Sequence, residues 1–182
     1  MTRPRREQIS ISDTPYYHIV SRCVRRSFLC GTDSSTGKSY EHRRSWIENR
    51  IRLLSSIFGM EIWAYAVMSN HLHIVVKLRP SPVNALTQKD VAQRWSCLFK
   101  GTLLFQQWLK GDRLDQAQSH AVSDEIEKYR GRLNDLGWFM KCLNEPIARQ
   151  ANKEDGCTGH FWQARYKSQA LLTEEAILSA MA

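Results

Sequence analysis

Apolar residues recur along the chain with two different spacings, which predict strands and helices. Residues 16–24 are rich in aromatic and β-branched types, which is typical of a strand. From Arg43 onward apolar residues recur at helical spacing and arginines lie mostly off that stripe, so we predict an amphipathic helix that ends at Gly59. Residues 61–68 and 71–77 then form the two strands of a predicted hairpin.

The middle of the chain predicts a helix followed by an insertion. Thr87 and Asp90 have the spacing of a helix cap, and we expect the helix that they begin to reach Phe105 or Leu109. The following residues lack periodicity. We therefore expect an inserted loop or short helix around residues 106–132.

The C-terminal third predicts helix, strand and helix in that order. Residues 126–153 indicate one or two helices, and residues 161–172 a final strand. Thr173 then begins an incomplete helix over residues 174–182, because a hydroxyl cap followed by two glutamates suits the positive end of a helix dipole. The predicted buried side of this helix consists of Ile177, Leu178 and Met181.

The predicted order is strand, helix, strand, strand, helix, insertion, helix, strand, helix. A central hairpin with crossover helices is the pattern of a ferredoxin-like sandwich, in which helices pack on one face of an antiparallel sheet. We therefore predict an α+β fold and a single domain over residues 1–182.

Positive charge exceeds negative charge, mainly in the first third of the chain. The sequence has 26 Lys and Arg against 18 Asp and Glu, a formal net charge of +8. Residues 1–58 hold 11 basic and 5 acidic residues, a net +6, and residues 59–182 hold 15 and 13, a net +2. This balance favours a polyanionic partner such as nucleic acid, and a solvated basic surface is the alternative.

Neither a membrane nor an oxidising compartment is indicated. The longest apolar run, residues 62–68, is much shorter than the roughly 20 residues of a membrane-spanning helix. The basic N-terminus leads into no apolar segment that would predict a secretory signal. Five cysteines occur without a Cys-x-x-Cys pair, which fits neither a disulfide framework nor a zinc ribbon. We therefore expect a cytoplasmic protein with no membrane partner.

The most specific local feature is His71-Leu72-His73 in the predicted hairpin. Because side chains alternate along a strand, both histidines project from one face with Cα atoms about 6 to 7 Å apart. Two imidazoles so placed can share a divalent metal ion, and the alternative is a pair of hydrogen-bonded histidines in a half-buried strand. We interpret His18 as an ordinary sheet histidine, and Tyr166 as a sheet aromatic with its hydroxyl at the surface.

Four segments occur together in one order. They are YHIVSRCVRR at 17–26, AYAVMSNHLHIVV at 64–76, WFMKCLNEPIAR at 138–149 and GHFWQARYKS at 159–168. This combination resembles the REP-associated tyrosine transposases, which are single-tyrosine HUH transposases, where U stands for an apolar residue. The resemblance extends over roughly residues 14–182.

The resemblance implies a metal-dependent single-strand DNA endonuclease and strand transferase, with the HUH motif on a central strand. His71 and His73 match the HUH histidines and are the implied ligands of Mg²⁺ or Mn²⁺. A tyrosine hydroxyl is implied to attack the scissile phosphate, leaving a 5′-phosphotyrosine link and a free 3′-OH. The implied substrate is single-stranded DNA that forms hairpins, namely repetitive palindromic elements.

Several basic residues at or near predicted strand ends suit the phosphates of a folded single strand. They are Arg22, Arg25, Arg26, Arg165 and Lys167. Solvated surface charge is the alternative for each of them. The resemblance also implies a nucleoid-associated location in the cytoplasm, and homodimers are common in the family.

The chain departs from the family at its C-terminal helix. The resemblance implies a catalytic tyrosine immediately after Ala182, so the chain matches a transposase truncated just before its nucleophile, and Tyr166 does not match that position. One alternative is a DNA-hairpin binding protein that has lost cleavage. A more distant alternative is a metalloenzyme that uses His71 and His73 on a small substrate, against which the basic N-terminal half argues.

Overall fold

The computed structural model describes residues 9–24 and 27–182, which form one four-stranded sheet and seven helices. The strands are β1 (Tyr16–Arg22), β2 (Met60–Val67), β3 (His71–Leu78) and β4 (Lys167–Ala170). The helices are α1 (His42–Ile57), α2 (Pro80–Asn84), α3 (Gln88–Ser96), α4 (Leu103–Lys110), α5 (Gln116–Leu133), α6 (Leu136–Asp155) and α7 (Glu174–Met181). The predicted α+β class is confirmed.

The strands form an open antiparallel sheet in the order β2-β3-β1-β4. The register of the two central strands places Arg22 opposite His71 and Val20 opposite His73. On the other side of β1, Lys167 of β4 also lies opposite Val20. The two histidines therefore lie on a central strand, with β1 as one neighbour and β2 as the other.

One face of the sheet, which we call the core face, is packed against α1 and α6. Its residues Ile19, Ile74 and Val76 are fully buried. Phe139 of α6 packs edge-on against Phe58, which directly follows α1, with ring centroids 5.6 Å apart. The apolar stripe predicted for α1 is buried on this side of the molecule: Ile47, Ile51, Leu54 and Phe58. These side chains form the main hydrophobic core.

The opposite face, which we call the histidine face, carries His18, His71 and His73. α7 lies across this face in contact with β2 and β3, so helices lie on both faces of the sheet. No residue of α7 is buried, and Leu178 and Met181 are 67% and 41% exposed. The prediction of helices on one face and the predicted buried side of the last helix are therefore wrong for α7.

The predicted helix that begins at Thr87 is interrupted. Thr87 and Asp90 form the capping box of α3 as predicted, but α3 ends at Ser96 instead of reaching Leu109. The chain turns at Gly101, which has a φ of 70°, a left-handed conformation that glycine adopts without steric cost. α4 begins after this turn as a separate helix.

The region 106–132, predicted as an inserted loop or short helix, is mostly helical, and its main helix is longer than predicted. It contains the end of α4 and most of α5, which is 18 residues long and begins at a capping box of Asp115 and Gln118. The buried residues of α5 form one stripe: Val122, Ile126, Tyr129 and Leu133. The insertion therefore adds to the core.

The final strand is shorter than predicted. β4 covers only four of the residues in the predicted strand 161–172. Ahead of β4, Trp162 forms an isolated antiparallel bridge with Cys23, the residue after β1. The segment between α6 and β4 thus follows the end of β1 without forming a regular strand.

Candidate functional site

His71 and His73 project from the same face of β3, as the alternation of side chains predicts. Their ring centroids are 6.0 Å apart. His71 Nδ1 lies 2.7 Å from Oδ1 of Asn70, and because that oxygen only accepts, His71 Nδ1 donates. In neutral His71 the lone pair is therefore on Nε2, which is the arrangement of a histidine oriented for metal binding.

His18 joins this pair, although we predicted it to be an ordinary sheet histidine. Its Nε2 lies 3.1 Å from Nδ1 of His73, and the two rings stack with centroids 5.2 Å apart. When His73 Nδ1 donates to His18, the lone pair of His73 is on Nε2, as in His71. The missing information was the strand register, which puts His18 diagonally across from His73.

Electrostatics favour the neutral form of His18 and His71. Burial lowers the pKa of His18, and the neighbouring His73 lowers it further. Burial also lowers the pKa of His71, and the positive charge of Arg22 and the proximity of His73 add to this effect. Neutral imidazole is the form that binds a metal ion.

The donor set fits a divalent ion that takes most of its ligands from solvent or substrate. Within the described residues, neither His71 Nε2 nor His73 Nε2 has a hydrogen-bond partner. The same part of the chain contains no group of three or more His, Cys, Asp or Glu side chains placed to hold a metal ion. A bound ion would therefore have two imidazole ligands, with water or phosphate oxygens in its remaining positions.

A cavity of about 320 Å³ connects the histidine face with α7. Its walls include His18 and His73 on one side and Ser179 to Ala182 on the other. The C-terminal end of α7 therefore lies beside His18 and His73. We call this space the histidine cavity.

The predicted DNA contacts are only partly brought together. Arg22 and Lys167 are exposed residues of the histidine face, on β1 and β4. Arg165 is exposed but lines a different cavity, beside α6. None of these three side chains has an ion-pair partner within the described residues. Arg25 and Arg26 lie outside the described residues.

Tyr166 is buried, contrary to its interpretation as a surface hydroxyl. Its side chain is 8% exposed, and its hydroxyl oxygen is inaccessible to solvent. It lines the cavity beside α6 and is not among the residues of the histidine cavity. Its position does not suit a nucleophile acting beside His71 and His73.

Comparisons with known proteins found no match for this chain among family models or curated proteins. Among residues 9–24 and 27–182, no helix combines the length and the apolar character needed to cross a membrane.

Proposed function

We propose that the chain is a metal-dependent single-strand DNA endonuclease and strand transferase, similar to the REP-associated tyrosine transposases. The observation that carries the proposal is the histidine cavity, which places the end of α7 across from His73, whose ring centroid is 6.0 Å from that of His71. The antiparallel strand order β2-β3-β1-β4 also supports a ferredoxin-like sheet with the HUH motif on its central strand β3, to which α7 adds a helix on the second face.

In this proposal His71 and His73 hold Mg²⁺ or Mn²⁺ through their Nε2 atoms. A bound ion would supply positive charge that polarises the scissile phosphate. Asn70 and His18 act through the two ligands, because each bonds the Nδ1 atom of one histidine and thereby fixes its ring orientation and tautomer.

We place the nucleophile on a tyrosine directly after Ala182, since α7 brings Ala182 to the wall of the histidine cavity. The tyrosine oxygen would form a bond to phosphorus as the bond from phosphorus to the 3′ oxygen breaks. The tyrosine hydroxyl loses its proton to solvent, and the leaving 3′ oxygen gains one. The products are a 5′-phosphotyrosine link and a 3′-OH, and rejoining is the reverse step.

The substrate in this proposal is a hairpin-forming repeat with adjacent single-stranded DNA. In this proposal Arg22 and Lys167 contact phosphates on the histidine face, and their exposure without ion pairs within the described residues supports that role. A nucleoid-associated location in the cytoplasm follows from such a substrate, and a homodimer stays a prediction.

The test is a denaturing gel with a 3′-labelled single-stranded hairpin substrate and Mn²⁺. Two extended chains continue beyond Ala182 with the same short segment, which begins with Tyr in one and with Phe in the other. A protein-linked labelled band is expected only from the Tyr chain, and the His71→Ala/His73→Ala variant of that chain should give none. Equal bands from the Tyr and Phe chains, or no band from either, would contradict the proposal.

A second candidate is a DNA-hairpin binding protein without cleavage. It is favoured by the absence, within the described residues, of any tyrosine in hydrogen-bond or ring contact with His71 or His73. This candidate predicts hairpin binding by the 182-residue chain and no protein-linked band from either extended chain.

A further inference from the structure

A second cavity, of about 590 Å³, lies between α6 and the segment that precedes β4. We call it the α6 cavity. It is distinct from the histidine cavity, because the two share no lining residue. Its size is in the range of pockets that hold small ligands. The residues that decide its chemistry are Lys141, Asn144, Arg149, Trp162 and Arg165.

Trp162 forms a fixed aromatic wall of this cavity. Its Nε1 donates to the backbone oxygen of Asn144 at 2.8 Å, and its ring meets Phe161 edge-on with centroids 5.1 Å apart. The indole is thereby held in one orientation while remaining partly accessible. A fixed aromatic ring on a cavity wall is a surface on which a nucleobase can stack.

The charge around the α6 cavity is complementary to phosphate. Lys141, Arg149 and Arg165 line it, against one carboxylate, Glu145. Glu145 is paired with Arg149 on the same helix. The cations of Lys141 and Arg165 have no carboxylate partner within the described residues, so they are available to an anionic ligand.

Asn144 adds a polar group that lacks a partner. Its Nδ2 donates to Ser21 Oγ at 3.0 Å, whereas its Oδ1 is buried and has no hydrogen-bond partner within the described residues. A buried acceptor without a donor is costly, and a turn of the Asn144 side chain toward the cavity would let an N–H group of a ligand remove that cost. The Watson–Crick edge of every nucleobase carries such a donor.

The α6 cavity is one strand away from the histidine pair. Gln163, next to Trp162, donates its backbone N–H to the oxygen of Arg22 at 2.9 Å. Arg22 in turn lies directly opposite His71 in the sheet. Because the α6 cavity lies on the core-face side of the sheet, a single strand with one phosphate at His71 would pass around the end of β1 to bring a nearby base beside Trp162.

We infer that the α6 cavity takes one unpaired nucleobase of the DNA strand that continues from the scissile phosphate. This inference rests on the proposed function and assigns a second contact to the same substrate. The base stacks on Trp162 and supplies a donor to Asn144 Oδ1, and the adjacent phosphates lie near Lys141 and Arg165.

The test measures binding of labelled hairpin DNA with single-stranded flanks by fluorescence anisotropy, while an abasic site is moved along the flank. One flank position is expected at which the abasic site weakens binding to the unmodified chain about tenfold. In Trp162→Ala an abasic site at that position should no longer change the affinity. The matched control is Trp108→Ala, a half-buried tryptophan of α4 that lines a different cavity.

Arg165→Ala is the second variant, because Arg165 is exposed and its removal does not depend on refilling a packed site. It should weaken binding of the intact DNA and reduce the effect of the same abasic position. Lys110→Ala, beside Trp108, should change neither quantity. If no abasic position weakens binding, or if the effect is unchanged in Trp162→Ala and Arg165→Ala, the inference is wrong. The proposed function stands in that case as long as the unmodified chain binds the hairpin. Absence of hairpin binding by the unmodified chain overturns both.

Discussion

The two faces of the sheet differ in how completely they are covered. On the core face, Ile19, Ile74 and Val76 are fully buried beneath α1 and α6. On the histidine face, His71 and His73 are half-buried, and α7 above them has no buried residue. Burial of apolar surface stabilises the fold, so stability is concentrated on the core face. The other face leaves space and polar groups for a ligand.

The basic side chains on the two sides of the sheet also differ in burial and in how many hydrogen bonds and ion pairs they form. Arg43, in α1, is 1% exposed and donates to Glu154 Oε2 at 3.1 Å and to the backbone oxygen of Phe28 at 2.9 Å. Arg22 and Lys167, on the histidine face, are exposed and have no ion-pair partner within the described residues. A buried cation with all its partners stabilises the fold, whereas an exposed cation without an ion pair can bind a phosphate.

The largest effect is expected from a cavity on the core face. Ile74→Ala should lower the free energy of unfolding by about 2–5 kcal/mol, because it removes a fully buried side chain. The control is His73→Ala on the same strand, which should cost about 1 kcal/mol through loss of its bond to His18. Urea unfolding measures both, and equal costs would mean that the faces do not differ in stability.

Arg43→Ala should cost about 2 kcal/mol of unfolding free energy. The change leaves the Phe28 carbonyl and the carboxylates of Glu154 and Asp155 without their buried donor, and the partial exposure of those carboxylates limits the loss. Arg52→Ala, an exposed arginine of the same helix, should change the value by less than about 0.5 kcal/mol. A small effect of Arg43→Ala in urea unfolding would contradict the structural role.

On the histidine face the expected effect is on metal binding. His18→Ala should weaken Mn²⁺ binding about tenfold, because His18 orients the His73 ring without being a ligand. His71→Ala/His73→Ala should remove binding, and Gln169→Ala, which lies opposite His18 on β4, should leave it unchanged. Titration followed by electron paramagnetic resonance distinguishes these results. Loss of binding in Gln169→Ala as well would argue against specific ligation.

The shared face of His71 and His73 could be predicted because a period of two fixes which side chains point together. The capping box of Thr87 and Asp90 could also be predicted, because it depends only on two residues three positions apart in the sequence. The bond from His18 to His73 was not, because it depends on the pairing of strands 55 residues apart. Local spacing determines local geometry and leaves the register of distant strands open.

The errors have a similar physical origin. The sequence leaves the start of α5 open between a loop and a short helix because its first turns are polar, although the Asp115 and Gln118 capping box is a local signal for that start. The buried side predicted for α7 failed at Leu178 because an apolar stripe says which residues share a face, and not whether another element covers that face. The α6 cavity joins Trp162 with Lys141 across a loop, which no sequence spacing indicates.

A smaller effect is expected for the cations of the histidine face. Arg22→Ala/Lys167→Ala should weaken hairpin binding and reduce the slope of log affinity against log salt by about 0.7 for each lost phosphate contact. Lys128→Ala, an exposed lysine on α5, should leave the slope unchanged. Anisotropy titrations at several salt concentrations measure the slope. An unchanged slope in the double variant would identify Arg22 and Lys167 as solvated charges.

The smallest effect is expected for α7. It tests whether this helix leaves the histidine face less covered than the core face. Leu178→Ala should change the free energy of unfolding by less than about 0.5 kcal/mol, because the side chain is 67% exposed. Leu72→Ala, a matched leucine that is 1% exposed, should cost about 2–5 kcal/mol. A large cost for Leu178→Ala in urea unfolding would mean that this side chain is covered in solution. The histidine face would then be as closed as the core face, and DNA would have to displace that cover before reaching His71 and His73.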